Sequence, residues 1–297
     1  MSISVAAPVR GRSAFALILA GILWGTGGLS GSLLGARAGL HPLPVATYRL
    51  LLGGCCTVLF LALTGRRPQW TKPVLRRLLL AGALLAQFQA CYFGAVSLTS
   101  VSIATMTTIG SVPVFVTLAT AARRRRRPGA TTLVATTAAV AGLVLLTWSP
   151  HGIPEGGRLL AGVALALAAG AEFATLTLVT RRPVEGLDAF CTTAFGLLFG
   201  GLLLLPFGLA IGMALPLRPD VVAVALYLGL VPTGVAYGAY FLALRTAAPV
   251  VAALSALLEP LTATFLSALL LHDELGVTGW TGAALLVTAL AVSYTRR

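Results

Sequence analysis

Charge is scarce in this chain. Of its 297 residues only 10% are charged and only eight are acidic, whereas a soluble domain carries about 25% charged residues. That shortage excludes an ordinary water-facing globular surface. Histidine is equally rare: His41, His151 and His272 are the three present, all in expected loops. With no HExxH, no Ser–His pairing and no carboxylate cluster, the chain lacks the groups for hydrolytic or metal chemistry, and an enzyme is not expected. A nucleotide-binding G-x-x-x-x-G-K-[ST] loop is missing too, so any work done here must draw on gradients. GTGGLSG at 25–31 has only a superficial likeness to a phosphate loop, since no strand precedes it and Ser30 breaks the glycine spacing. The four cysteines, Cys55, Cys56, Cys91 and Cys191, fall inside expected helices without metal-ligand spacing and read as small packing residues. No metal and no cofactor is expected.

What the chain has in abundance is apolar length. Hydrophobic residues make up 58% of it and the mean hydropathy is +0.95. The apolar runs are close to the roughly 20 residues that an α-helix needs to cross a hydrocarbon layer of about 30 Å. They predict ten membrane-spanning helices, over 15–34, 45–64, 75–97, 102–122, 130–147, 158–180, 188–210, 221–243, 249–271 and 277–295. The first is longer than the apolar core of a signal peptide, about 7–15 residues, and is kept as a helix although Ala36-Arg37-Ala38 has the form of a cleavage site.

The formal net charge of +13 is distributed by sidedness, which argues against a nucleic-acid partner. If the N-terminus is cytoplasmic, 17 basic residues lie on that side and three, Arg37, Arg158 and Arg218, on the other, with Arg49 inside a helix. This positive-inside bias places both termini in the cytoplasm of an inner membrane. The run Arg123 to Arg127 then reads as an anchor against anionic lipid headgroups.

An internal repeat organises the whole. LHPLPVATYRLLLGG at 40–54 aligns with LDAFCTTAFGLLFGG at 187–201, YFGAV at 92–96 with YFLAL at 240–244, and Pro113 with Pro260, all close to an offset of 147. Each copy holds five spans, an odd number, so the second crosses the membrane in the opposite sense. The expected fold is therefore all-α and integral to the membrane, ten transmembrane helices as two inverted five-helix repeats, residues 1–148 and 149–297. Such inverted repeats characterise secondary transporters, whose substrate site lies near the midplane between the copies. Glycine pairs four apart, Gly21/Gly25, Gly27/Gly31, Gly196/Gly200 and Gly234/Gly238, are read as packing within one chain, leaving a monomer or weak dimer.

LWG at 23–25, the arginine of TYRLLLGG at 47–54 and ALLEPLTATFLSALLLHDELGVTGWTGAALLVTALAV at 256–292 resemble the EamA-type members of the drug/metabolite transporter superfamily. The resemblance covers nearly the whole chain. It implies a ten-helix carrier, in many members an exporter of amino acids and other metabolites, with Glu274 as the family's outer acidic residue. Within the superfamily the chain is most similar to YddG-type amino-acid exporters. It departs from the pattern in helix 6, where Phe173 stands in place of a frequent tryptophan and Glu172 precedes it.

Ionisable groups inside a bilayer cost roughly 2.5–3.5 kcal/mol on insertion scales and so face protein or a wet cavity. Glu259 is the chief candidate, to hold a substrate ammonium or carry a proton, or alternatively as a packing carboxyl neutral or paired with arginine. Ser255, one turn before it, and Thr108, its repeat counterpart, extend a polar stripe. Pro260 frees the carbonyl of Ala256. Glu172 is a second acid, near enough to the cytoplasmic end to pair with Arg181 or Arg182. Trp24, Gln87, Tyr92, Tyr237 and Tyr240 are the remaining candidates to line an apolar substrate cavity, with Tyr92 and Tyr240 near helix ends where interfacial tyrosines are common. Arg49 either snorkels toward the surface or pairs with an acid. The function expected is export of small metabolites, most of all amino acids including hydrophobic and aromatic ones. Efflux of hydrophobic cations is the alternative, and a channel or intramembrane enzyme a distant one.

Overall fold

In the computed structural model, which describes residues 7–125, 127–147, 157–271 and 276–295, the apolar runs become helices. They are α1 (Ala7–Ala38), α2 (Pro42–Leu63), α3 (Lys72–Leu98), α4 (Val101–Arg124), α5 (Ala130–Thr147), α6 (Gly157–Thr180) and α7 (Ala189–Ile211). The eighth expected span is one rod made of α8 (Pro219–Gly229), a π-helical segment over Leu230–Val235, and α9 (Ala236–Leu244). The ninth is broken into α10 (Pro249–Ser255) and α11 (Leu258–Leu271), and α12 (Val277–Thr295) completes the bundle. Among the described residues nine spans are long and apolar enough to cross a membrane, and Ala130–Leu146 is a shorter apolar helix. The protein is a multi-pass membrane protein. Glu274, His151, His272, Arg126 and the junction at 148/149 lie outside the described residues.

The direction of each helix follows from what its ends touch. At one end of the bundle Arg66 pairs with Asp188 at 3.4 Å, and Arg77 donates to the carbonyls of Val179 and Arg182. There too Arg181 donates to Ala247 O and Arg245 to Leu187 O. At the far end Asp220 sits between Arg37 and Arg218, Arg158 reaches Ser97 O, and the Tyr48 hydroxyl donates to Met213 O at 2.5 Å. So α2 ends at the basic end while α7 begins there, and α3 starts at the basic end while the α8–α9 rod finishes there. α1 runs to the far end at Arg37, and α6 runs from the far end at Arg158 to the basic end. These three pairs of counterparts are antiparallel, as an odd number of spans per copy requires.

Packing obeys the same symmetry. α2 packs most heavily on its own counterpart α7, and α5 on α12; α3 lies along α6 just as α1 lies along the α8–α9 rod. Close approach depends on absent side chains. A Cβ on Gly54 would stand 2.6 Å from the backbone nitrogen of Leu198 in α7, so the two helices meet there backbone to backbone, which is how small residues stabilise helix pairs in lipid. By contrast Gly11 in α1 has nothing within 4 Å of such a Cβ. Gly54→Leu is therefore expected to destabilise the bundle by at least about 1–3 kcal/mol, and Gly11→Ala to be neutral or slightly stabilising. Thermal unfolding of the two purified variants in detergent, with monodispersity as the control, checks this contrast.

Candidate functional site

The break in the ninth span positions its acid. Proline is tolerated in the first turn of a helix and disruptive inside one, so the sequence Leu257-Leu258-Glu259-Pro260 stops α10 at Ser255 and restarts the helix at Leu258. Pro260 has no N–H for the carbonyl of Ala256. The Glu259 amide donates to it instead, at 3.0 Å, so the freed carbonyl expected from the sequence is capped locally. Glu259 is left in the first turn of α11, where the positive end of the helix dipole favours a carboxylate. Gly25 of α1 lies against this turn, since a Cβ there would stand 2.8 Å from Glu259 O.

A second irregularity holds an arginine. Pro232 cannot donate to Leu228 O, and the Thr233 hydroxyl does so instead at 2.7 Å within the π-helical segment. The widened turn leaves an acceptor surface on which Arg49 of α2 rests: its Nε–H donates to Thr233 Oγ1 at 3.0 Å and its Nη2 to Pro232 O at 3.5 Å. Gly53 allows the approach, because a Cβ at that position would lie 2.8 Å from the Thr233 methyl. Arg49 therefore neither snorkels nor, among the described residues, forms an ion pair.

Arg49 and Glu259 face a common cavity of about 350 Å³. Tyr92, Phe93 and Val96 of α3 line another side of it, and Gly27, Gly28, Gly31 and Gly35 of α1 line it without side chains. The Gly27/Gly31 pair thus hollows out space rather than serving only as a helix contact. Leu40, Pro42 and Val101 rim the cavity, which opens toward the far end. Tyr92 is oriented by a 2.7 Å hydrogen bond between its hydroxyl and Thr105 Oγ1.

Several expected cavity residues lie elsewhere. Trp24, Tyr237 and Tyr240 are buried and pack edge-on or tilted, with Trp24 centroids 5.2 Å from Tyr237, 5.0 Å from Tyr240 and 5.7 Å from Phe173. With Phe88 and Phe241 they form an aromatic plug. Tyr240 is 0% exposed and shares a 2.8 Å hydrogen bond with Thr177, so it is no interfacial tyrosine. The Trp24 indole N–H is buried with no acceptor among the described residues. Thr108 and Ser255 are also buried and satisfied, Thr108 donating to Ala166 O, Ser255 bonding Val251 O and the Tyr294 hydroxyl. Gln87 faces outward, and Gln89, two residues on and so about 200° around the helix, is the glutamine that turns inward with 2% exposure.

Glu172 lies at the α3–α6 contact rather than on the cavity. Cys91 Sγ donates to its Oε1 at 3.8 Å, and its Oε2 is buried without a partner among the described residues. It does not pair with Arg181 or Arg182. Gln89 and Phe93 are inward groups that the sequence does not single out; Arg49 it places inside the second span, snorkelling or paired with an acid, whereas the structure rests it on Thr233 and Pro232 O at the cavity wall.

Residues 11–148 and 160–295 each match the EamA-like transporter family. The chain is 31% identical over 280 residues, 93% of its length and 91% of the relative's, to the uncharacterized transporter YwfM of Bacillus subtilis (strain 168). A protein known from a crystal structure shares the fold with a TM-score of 0.81, at 19% identity and over 96% of both chains. If the cavity opens at the far end as described, Ser32→Cys in a cysteine-free background will react with a water-soluble maleimide, and Tyr240→Cys will stay unlabelled. Mass shift of the intact protein in membranes reads both.

Proposed function

Because the chain belongs to the EamA-like transporter family, we propose that it is a secondary exporter of amino acids, including hydrophobic and aromatic ones. It works by alternating access around the cavity beside Arg49 and Glu259. The observation that carries this reading is the pairing of one cation and one anion on separate walls of the same cavity, with no ion pair between them among the described residues. An α-amino acid offers the complement, a carboxylate for Arg49 and an ammonium for Glu259. Its side chain is left to Phe93, Val96 and Val45, and a mostly apolar pocket with a few polar groups to fix orientation suits that ligand. Efflux of hydrophobic cations makes use of Glu259 and the aromatics, but Arg49 then opposes the substrate.

The cycle follows from the two ends. Substrate bound between Arg49 and Glu259 is released at the far end, and the aromatic plug around Trp24 closes the path toward the basic end. Opening the plug frees the unpartnered Trp24 N–H for substrate arriving from that side. The moving units are the repeats 1–148 and 149–297, in an inner membrane with both termini and the basic end cytoplasmic, as the positive-inside bias supports.

Counterflow of labelled phenylalanine and leucine in liposomes, with and without a pH gradient, tests the proposal. Arg49→Gln and Glu259→Gln are each expected to lower amino-acid counterflow by about tenfold or more, as loss of one charge-assisted hydrogen bond implies, while both variants stay folded. Unchanged counterflow in either variant assigns that residue to architecture. Retained amino-acid transport in Arg49→Gln alongside loss of a cationic dye in Glu259→Gln would favour cation efflux.

A further inference from the structure

The basic end holds a pair of cavities that the transport cycle does not use. One, of about 700 Å³, is lined by Arg123, Arg124, Arg181, Arg182 and Arg245. The other, of about 510 Å³, shares Thr120, Arg124 and Arg181 with it and adds Arg127 and Thr117. Among the described residues no acidic side chain lines either. Among the described residues the arginines in ion pairs are Arg37, Arg66 and Arg218, so none of these six is neutralised by a carboxylate. An anchor of positive charge needs only to lie flat against headgroups, whereas these side chains, although exposed, converge on a hollow that is open on one side.

The hollow is built as well as charged. Arg181 is held by its Nε–H on Ala247 O, and Arg245 by its Nη2 on Leu187 O, which fixes two guanidinium groups at the wall with donors to spare. Thr117 is 5% exposed, and its hydroxyl, like that of Thr120, is buried without a partner among the described residues. Converging guanidinium forks with spare hydroxyls fit the several acceptor oxygens of a phosphate group. Arg123, Arg124 and Arg127 come from the first repeat and Arg181, Arg182 and Arg245 from the second, so a ligand seated here ties the end of α4 to the end of α6 and to the α9–α10 turn.

We propose that these joined cavities bind a phosphate-bearing anion, either the headgroup of an anionic lipid or a soluble phosphate. The test needs no transport. Thermal unfolding of the purified full chain in neutral detergent is followed with added dioleoylphosphatidylglycerol, dioleoylphosphatidylcholine, or inorganic phosphate against chloride at equal ionic strength. A ligand at a hundredfold excess over its Kd is expected to raise Tm by about 5 °C. A rise with the glycerol lipid alone assigns the site to a headgroup, and a rise with inorganic phosphate as well assigns it to phosphate in general. The double variant Arg123→Gln/Arg124→Gln removes two exposed arginines and is expected to lose most of the rise. Arg67→Gln/Arg76→Gln, which removes two exposed arginines of the same end outside the cavities, is expected to keep it. No rise above the phosphatidylcholine and chloride controls, a full rise in the first variant, or an equal loss in both overturns the proposal.

Discussion

A bilayer interior offers the backbone no water, so every N–H and C=O that a helix fails to satisfy must find a partner within the protein or face a wet cavity. The bundle departs from regular helix at two prolines, Pro260 and Pro232, and each departure is repaired within one turn: the Glu259 amide takes Ala256 O, and the Thr233 hydroxyl takes Leu228 O. Both repairs sit beside an intramembrane charge. The restart of α11 presents Glu259 at a helix N-terminus, and the π-helical turn presents acceptors to Arg49. The cost of irregular backbone and the placing of charged groups are thus met by the same two segments, and the cavity lies between them.

The repeat makes this arrangement easier to see because the two copies differ there. At the offset of 147 Arg49 stands opposite Gly196 and Glu259 opposite Val112. Pro113, opposite Pro260, sits inside an unbroken α4, while the second copy is interrupted. Each repeat contributes one charge, of opposite sign, to a hollow that neither encloses alone. A two-fold scaffold built for symmetry carries a polar site that is not symmetric, which suits a ligand with two different ends.

Particular residues mark how far reading along the chain reaches. Glu259 could be singled out because an acid in an apolar run has few places to go. Gln87 and Gln89 could not be told apart, since both lie in an apolar run with a weak helical phase and only the packing of α3 on α6 and α7 decides which turns inward. Trp24, Tyr237 and Tyr240 share the composition of a cavity wall and of a plug. Their ring contacts, which join helices distant in sequence, make them the second. Gly27 and Gly31 carry a packing spacing yet line the cavity as well, Gly27 lying close to Pro232 and to the Arg49 guanidinium and Gly31 to Val45.

Membrane class, the spans, the two copies and the segregation of basic residues can be read along the chain, since each depends on local hydrophobicity, on length against bilayer thickness, or on comparison of the chain with itself. Which polar groups meet is set by packing. Arg49 and Glu259 are 210 positions apart and acquire a common cavity only when α2 and α11 are brought around α1, and the arginines of α4, α6 and α9 converge only when those helix ends assemble. Hydrophobicity is a property of a segment, whereas the meeting of two charges depends on distances that packing alone sets.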